Sequence, residues 1–91
     1  MDYNVLTTCK EIINEGNLKE LQEYYNYLQN LSNDDYRLPW EYIYQQVYLH
    51  SCLRKQNEIV EWLQGLYDSF GPIEKIGIRQ MFSYGNYLLK K

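Results

Sequence analysis

Apolar residues recur every three or four positions along most of the chain, which is the spacing that places them on one face of an α-helix. The pattern predicts five helices, over residues 3–15, 17–30, 39–54, 57–70 and 72–89. No segment alternates apolar and polar residues convincingly over its length, as a half-buried strand would. We therefore predict an all-α fold.

The breaks between the predicted helices indicate how they are connected. Asp2 is a predicted N-cap, Gly16 suits a left-handed C-terminal cap, and Asn17 can cap the second helix at once. A helix that stops and restarts within a few residues forms an antiparallel hairpin. We expect helices one and two, and three and four, to form two such hairpins in a single domain, residues 1–91. Helix five closes the open end, so the fold is repeat-like or a small helical bundle.

The helical stripes also predict the core. In the fifth helix the stripe consists of Ile73, Ile76, Gly77, Gln80 or Met81, Tyr84 and Leu88, with Gly85 as a weak point near the end. The side chains predicted to be buried are Leu6, Cys9, Ile13, Leu21, Tyr25, Leu28, Ile43, Val47, Ile59, Val60, Leu63, Leu66 and Ile76.

Charge and hydropathy exclude several classes of partner. A net charge of −3 argues against binding nucleic acid by neutralising phosphates. No stretch approaches the roughly 20 apolar residues of a membrane span, and the N-terminus lacks the basic and apolar regions of a signal peptide. We expect an intracellular protein, in the cytoplasm or in a host cytoplasm.

The reactive side chains form no recognisable catalytic or metal-binding motif. Cys9 and Cys52 are far apart and have no CxxC spacing, and His50 is the single histidine. Glu20 and Glu23 share a helix face, but no histidine or third acid joins them at ligand spacing. We therefore expect no catalytic residue, metal or cofactor, and no enzymatic activity.

Two segments carry a resemblance to a known family. Leu49-His50-Ser51-Cys52, followed by Glu58-Ile59-Val60-Glu61-Trp62-Leu63, resembles the core of an ankyrin repeat. Gly16-Asn17-Leu18-Lys19-Glu20-Leu21 is similar to the turn of the same repeat. The version in this chain resembles the divergent ankyrin repeats of large DNA viruses, although Lys55 replaces the turn glycine and about 39 residues separate the two turns, against the usual 33. The resemblance implies stacked helical hairpins, a histidine that binds backbone at the turn, and a protein-binding role.

The surplus of aromatic residues is the main functional lead. The chain contains eleven Tyr, two Trp and two Phe, more than five short helices need for a core. The surplus reflects either a binding surface, since Tyr and Trp dominate interfaces, or an AT-rich genome. For a binding surface the candidates lie on helices two and three and the loop between them: Tyr24, Tyr27, Tyr36, Trp40 and Tyr44.

These observations support a non-enzymatic protein–protein interaction module, of viral origin if the resemblance holds, that binds a host or viral protein. Two alternatives remain. Exposed aromatics could instead be buried against a second copy, which makes a structural homo-oligomer. The acidic first half of the chain could inhibit a nucleic-acid-binding protein by occupying its basic site.

Overall fold

The computed structural model describes residues 3–31 and 39–91, and these residues form helices and no strands. The helices are α1 (Tyr3–Glu15), α2 (Leu18–Leu31), α3 (Trp40–Leu53), α4 (Asn57–Leu66) and α5 (Pro72–Lys90). The predicted all-α class is confirmed. The predicted end of α4 is four residues too long, because the chain tightens into a 3₁₀ turn at Tyr67–Ser69. There the Ser69 hydroxyl donates to the carbonyl oxygen of Leu66 at 2.6 Å.

The turns after α1 and α3 have the same geometry. Gly16 adopts φ 69° and Lys55 adopts φ 57°, and Lys55 follows Gly16 by 39 residues. The amide N–H of Gly16 donates to the carbonyl of Ile13, and that of Lys55 donates to Cys52. In both turns the next amide reaches the carbonyl five residues earlier. This is the Schellman pattern of helix ends, and it is formed twice at the spacing that the sequence resemblance indicated.

The turn residues also begin α2 and join the two turns. Asn17 Oδ1 accepts from the amide N–H of Glu20 at 3.0 Å, and its Nδ2 donates to the Glu20 carboxylate at 3.2 Å. Asn17 is therefore the N-cap that the sequence predicted. In the other turn, Gln56 Nε2 donates to the carbonyl oxygen of Ile13 at 3.0 Å. Gln56 thus satisfies a carbonyl at the end of α1 that its own helix leaves unpaired.

Contacts along the helices show that α1, α3 and α5 run in the same direction. Near their C-terminal ends, His50 of α3 contacts Asn14 of α1. The early part of α5, at Gly77, lies against Glu41 in the first turn of α3, whereas its late part lies against the end of α3. Helix α3 packs against α1, α4 and α5, so it is the central helix of this layer.

The buried side chains come from all five helices, and most of the predicted core residues are among them. The largest fully buried side chain is Tyr48 of α3, whose ring stacks on Tyr44 and meets Phe82 edge-on at 5.0 Å. Its hydroxyl accepts from Gln64 Nε2 at 3.1 Å, so the polar tip of this core residue has a partner. Tyr25 and Leu66 are half-buried rather than buried.

The predicted buried face of α5 is wrong. Ile76 is 71% exposed and Ile73 is 81% exposed, whereas Ile78, Met81 and Gly85 are buried. Gly85 is not a weak point: α5 continues to Lys90, and a Cβ at Gly85 would lie 2.5 Å from Tyr48 Cε1 and 3.1 Å from Cys52 Sγ. The absence of a side chain at Gly85 therefore allows α5 to lie close to α3.

Candidate interaction surface

Helix α2 exposes a row of side chains on the face opposite its core contacts. Glu20, Tyr24, Tyr27 and Leu31 follow one another at spacings of four, three and four residues, and we refer to them as the α2 stripe. This spacing places them on one side of the helix. Tyr27 is 56% exposed, and its ring stacks on the half-buried Tyr24 with centroids 6.0 Å apart. Two of the predicted site residues therefore form a continuous aromatic surface.

Trp40, a third predicted site residue, belongs to a different cluster. It is half-buried, and its ring meets Tyr25 edge-on at 5.6 Å. Tyr25 in turn meets Trp62 of α4 edge-on at 5.6 Å, so three aromatic rings connect α2, α3 and α4. Edge-to-face pairs of this kind stabilise by about 0.5–1.5 kcal/mol beyond the buried area. Trp40 therefore contributes to holding the two hairpins together.

The remaining two predicted site residues are not on the α2 stripe. Tyr44 is 5% exposed, and its hydroxyl donates to the backbone carbonyl oxygen of Leu63. Burial raises the pKa of the Tyr44 hydroxyl well above its usual value, which keeps the donor protonated. Tyr44 thus lies in the core rather than on an outer face. Tyr36 lies outside the described residues.

A small apolar cavity lies between α2, α3 and α4. Its volume is about 40 Å³, and Tyr25, Trp40 and Trp62 form part of its wall. The wall is almost entirely apolar, and the thiol of Cys9 contributes to it. A cavity of this size holds a water or a small apolar group rather than a cofactor, and an apolar wall offers water few hydrogen-bond partners.

Helix α5 exposes a second row, which sequence reasoning placed in the core. Ile73, Ile76, Gln80, Tyr84 and Tyr87 all lie within an arc of about 80° on a helix, and we refer to them as the α5 stripe. The four apolar members are all more than half exposed, and the rings of Tyr84 and Tyr87 stack at 6.3 Å. The signal that was missed is that α5 carries two apolar faces. The face that is buried contains Gly85, which lets α5 approach α3.

The titratable groups have structural partners rather than a catalytic arrangement. His50 Nε2 donates to Asn14 Oδ1 at 2.8 Å, so the histidine binds a side chain of α1 and not the turn backbone that the family resemblance implied. Burial, with Lys10 and Arg54 nearby, lowers the pKa of His50. Burial raises the pKa of the Cys9 thiol to about 11, which disfavours the nucleophilic thiolate at neutral pH.

Further observations bear on metals, membranes and relatives. In residues 3–31 and 39–91, no three His, Cys, Asp or Glu side chains come together as a metal site would require. None of the helices in that part of the chain is both long and apolar enough to cross a bilayer. Comparison of the chain with protein-family models, with curated proteins and with solved structures gave no match.

Proposed function

We propose that this chain is a non-enzymatic protein-interaction module that binds a second protein through the α2 stripe. The observation that carries the proposal is the stacked pair Tyr24–Tyr27, of which Tyr27 is 56% exposed beside the exposed Leu31. A tyrosine held in place by stacking loses little conformational freedom on binding, and Tyr is enriched among the residues that dominate binding energies.

The charges around the stripe favour a partner with basic groups at its rim. Glu20 is exposed at the start of the stripe, and Glu23 is exposed beside it. Carboxylates at the edge of an aromatic patch set the orientation and the association rate more than the affinity. The partner in this proposal is therefore a protein with an apolar anchor and nearby lysine or arginine.

We also propose that the two helix pairs are ankyrin-like units, in which such surfaces bind proteins. The repeated Schellman turns at Gly16 and Lys55 support this, as does the common direction of α1, α3 and α5. The spacing of 39 residues between the turns departs from the usual 33 of the family. The proposal accordingly concerns divergent repeats, as the sequence resemblance does.

The test starts from affinity capture with the intact chain in the cell that naturally contains it. Binding of the purified partner is then measured by calorimetry with wild type, Tyr27→Ala and the control Tyr42→Ala, which removes an exposed tyrosine of α3. We expect Tyr27→Ala to weaken binding by about 1–2 kcal/mol without lowering the melting temperature, and Tyr42→Ala to leave binding unchanged. Equal binding by wild type and Tyr27→Ala would show that the α2 stripe is not the site.

A further inference from the structure

The α5 stripe has an internal symmetry that the α2 stripe lacks. Ile73 and Tyr87 lie seven residues before and after Gln80, and Ile76 and Tyr84 lie four residues before and after it. The stripe is therefore aliphatic in its first half and aromatic in its second, with an amide at its centre. An antiparallel copy of the same helix, related by a two-fold axis at Gln80, would place each isoleucine opposite a tyrosine.

The charges at the two ends of α5 favour the same arrangement. Lys90 and Lys91 are exposed at the C-terminal end, and the exposed Asp68 and the partly exposed Glu74 lie at the N-terminal end. Antiparallel pairing brings the basic end of one helix to the acidic end of the other, whereas parallel pairing would bring like charges together. The helix dipoles favour antiparallel pairing in the same way.

The outer face of α1, at the other side of the layer, has a different composition. Its exposed positions Asn4, Thr7, Glu11 and Asn14 recur at helical spacing and are all polar. A terminal helix with a polar outer face ends a stack of helices, whereas an apolar outer face requires a neighbour. The layer is thus closed on the α1 side and open on the α5 side.

We propose that two copies of this chain associate through their α5 stripes as an antiparallel, two-fold symmetric helix pair. Ile73 and Ile76 of one copy pack against Tyr87 and Tyr84 of the other, and the two Gln80 amides meet at the axis, where each can both donate and accept. A single helix pair buries less than a standard interface, so the expected dissociation constant lies at about 10 µM to 1 mM. This surface is separate from the α2 stripe, so the inference does not depend on the proposed function.

Association is tested first by sedimentation equilibrium of the full chain up to about 2 mM. The variants are Ile76→Glu on the stripe, Asn86→Glu on an exposed position of α5 outside it, and Tyr27→Glu on the α2 stripe, with circular dichroism as the check on folding. We expect Ile76→Glu to raise the dimer dissociation constant at least about tenfold, and the two controls to leave it within about twofold. A wild type that stays monomeric, or a dimer that Tyr27→Glu disrupts and Ile76→Glu does not, overturns the proposal.

The register is tested with a short bismaleimide cross-linker on single-cysteine additions. The native Cys9 and Cys52 are buried and react poorly, so an added surface cysteine is the reactive one. We expect Gln80→Cys to cross-link to itself, and Ile76→Cys to cross-link to Tyr84→Cys when the two are mixed. Asn86→Cys is the control that should give no dimer. Cross-linking of Asn86→Cys in preference to Gln80→Cys overturns the antiparallel register.

Discussion

At the scale of single residues, the two left-handed turns show how chemistry and conformation can disagree. Gly16 and Lys55 hold equivalent positions in equivalent turns, yet only the first is the residue type that favours positive φ. Lys55 therefore adopts a strained backbone conformation where a glycine would not. The surrounding hydrogen bonds, from Lys55 to Cys52 and from Gln56 to Ser51, hold it in place.

Replacing Lys55 with glycine should raise the free energy of unfolding by about 0.5–1 kcal/mol, because it removes the left-handed strain. Its matched control is Arg54→Gly. Arg54 lies one residue earlier at φ −85°, where glycine brings no relief and adds chain entropy to the unfolded state. Urea unfolding monitored by circular dichroism measures both variants. A lower midpoint for Lys55→Gly than for wild type would contradict the strain argument.

His50 makes the stability depend on pH in a defined direction. Its folded pKa lies below its ordinary value of 6.5, chiefly because burial disfavours the charged ring and secondarily because Lys10 and Arg54 are nearby. The unfolded chain therefore binds the proton more readily than the folded one. The stabilising contribution is complete above pH 6.5 and is lost as the pH falls from 6.5 through the lower folded pKa.

The imidazole resonances of His50, the single histidine of the chain, should titrate with a midpoint below 6.5 in a proton NMR series. In His50→Gln the part of the stability loss that occurs just below pH 6.5 should disappear. A midpoint at or above 6.5 would mean that water reaches the ring more freely than its surroundings indicate.

At the scale of helices, the interface between α3 and α5 depends on missing side chains. A Cβ at Gly85 would meet Tyr48 and Cys52, both fully buried, so neither can move away easily. A Cβ at Gly77 would meet the end of the Glu41 side chain, which can turn into solvent. The two glycines thus differ in what surrounds them, although both lie on the α3 side of α5.

Gly85→Ala should lower the free energy of unfolding by about 1–3 kcal/mol, because the buried rings and α5 must shift to admit the methyl group. Gly65→Ala in α4 serves as the control, since nothing lies within 4 Å of its Cβ position. There the better helix propensity of alanine should add about 0.5–1 kcal/mol. Thermal unfolding of both variants decides the point. Equal effects of the two substitutions would indicate that α5 does not approach α3 as closely as the structure shows.

The helices could be predicted from the sequence, but their faces could be predicted only in part. The stripes of α1, α2 and α4 were unambiguous because one side of each is polar. Helix α5 has apolar residues on two sides, so periodicity alone could not choose between Ile76 and Ile78. What decides is the close approach at Gly85, a long-range contact with Tyr48 of α3. Tyr44 was placed outside for a related reason, since its buried hydroxyl has a backbone partner that the local sequence does not reveal.

At the scale of the whole molecule, α3 is the helix on which the others depend. It packs against α1, α4 and α5, and it supplies Tyr48, Ser51 and Cys52, which are fully buried. Gln56, just after α3, also holds the end of α1 through Ile13. Neither hairpin therefore has a core that is complete without α3 and its turn.

Hydrogen exchange should accordingly be slowest at the amides of α3, around Val47 to Cys52, and faster in α2, which packs mainly on α1. If the protein unfolds as one unit, the slowest amides of α1, α3 and α5 should share a common opening free energy under conditions of rapid closing. Mass spectrometry of exchanged fragments or NMR measures this. Markedly slower exchange in α2 than in α3 would show that α3 is not the centre of stability.

The position of Gly85 late in the chain has a consequence for synthesis. Tyr48 and Cys52 are made well before α5, and their partners Phe82 and Gly85 follow only about 30 residues later. At ribosomal speeds of about 5–20 residues per second, this interval lasts roughly 2–7 s. During that time the nascent chain carries an open apolar surface on its central helix. The final helix thus determines when the newly made protein can complete its core.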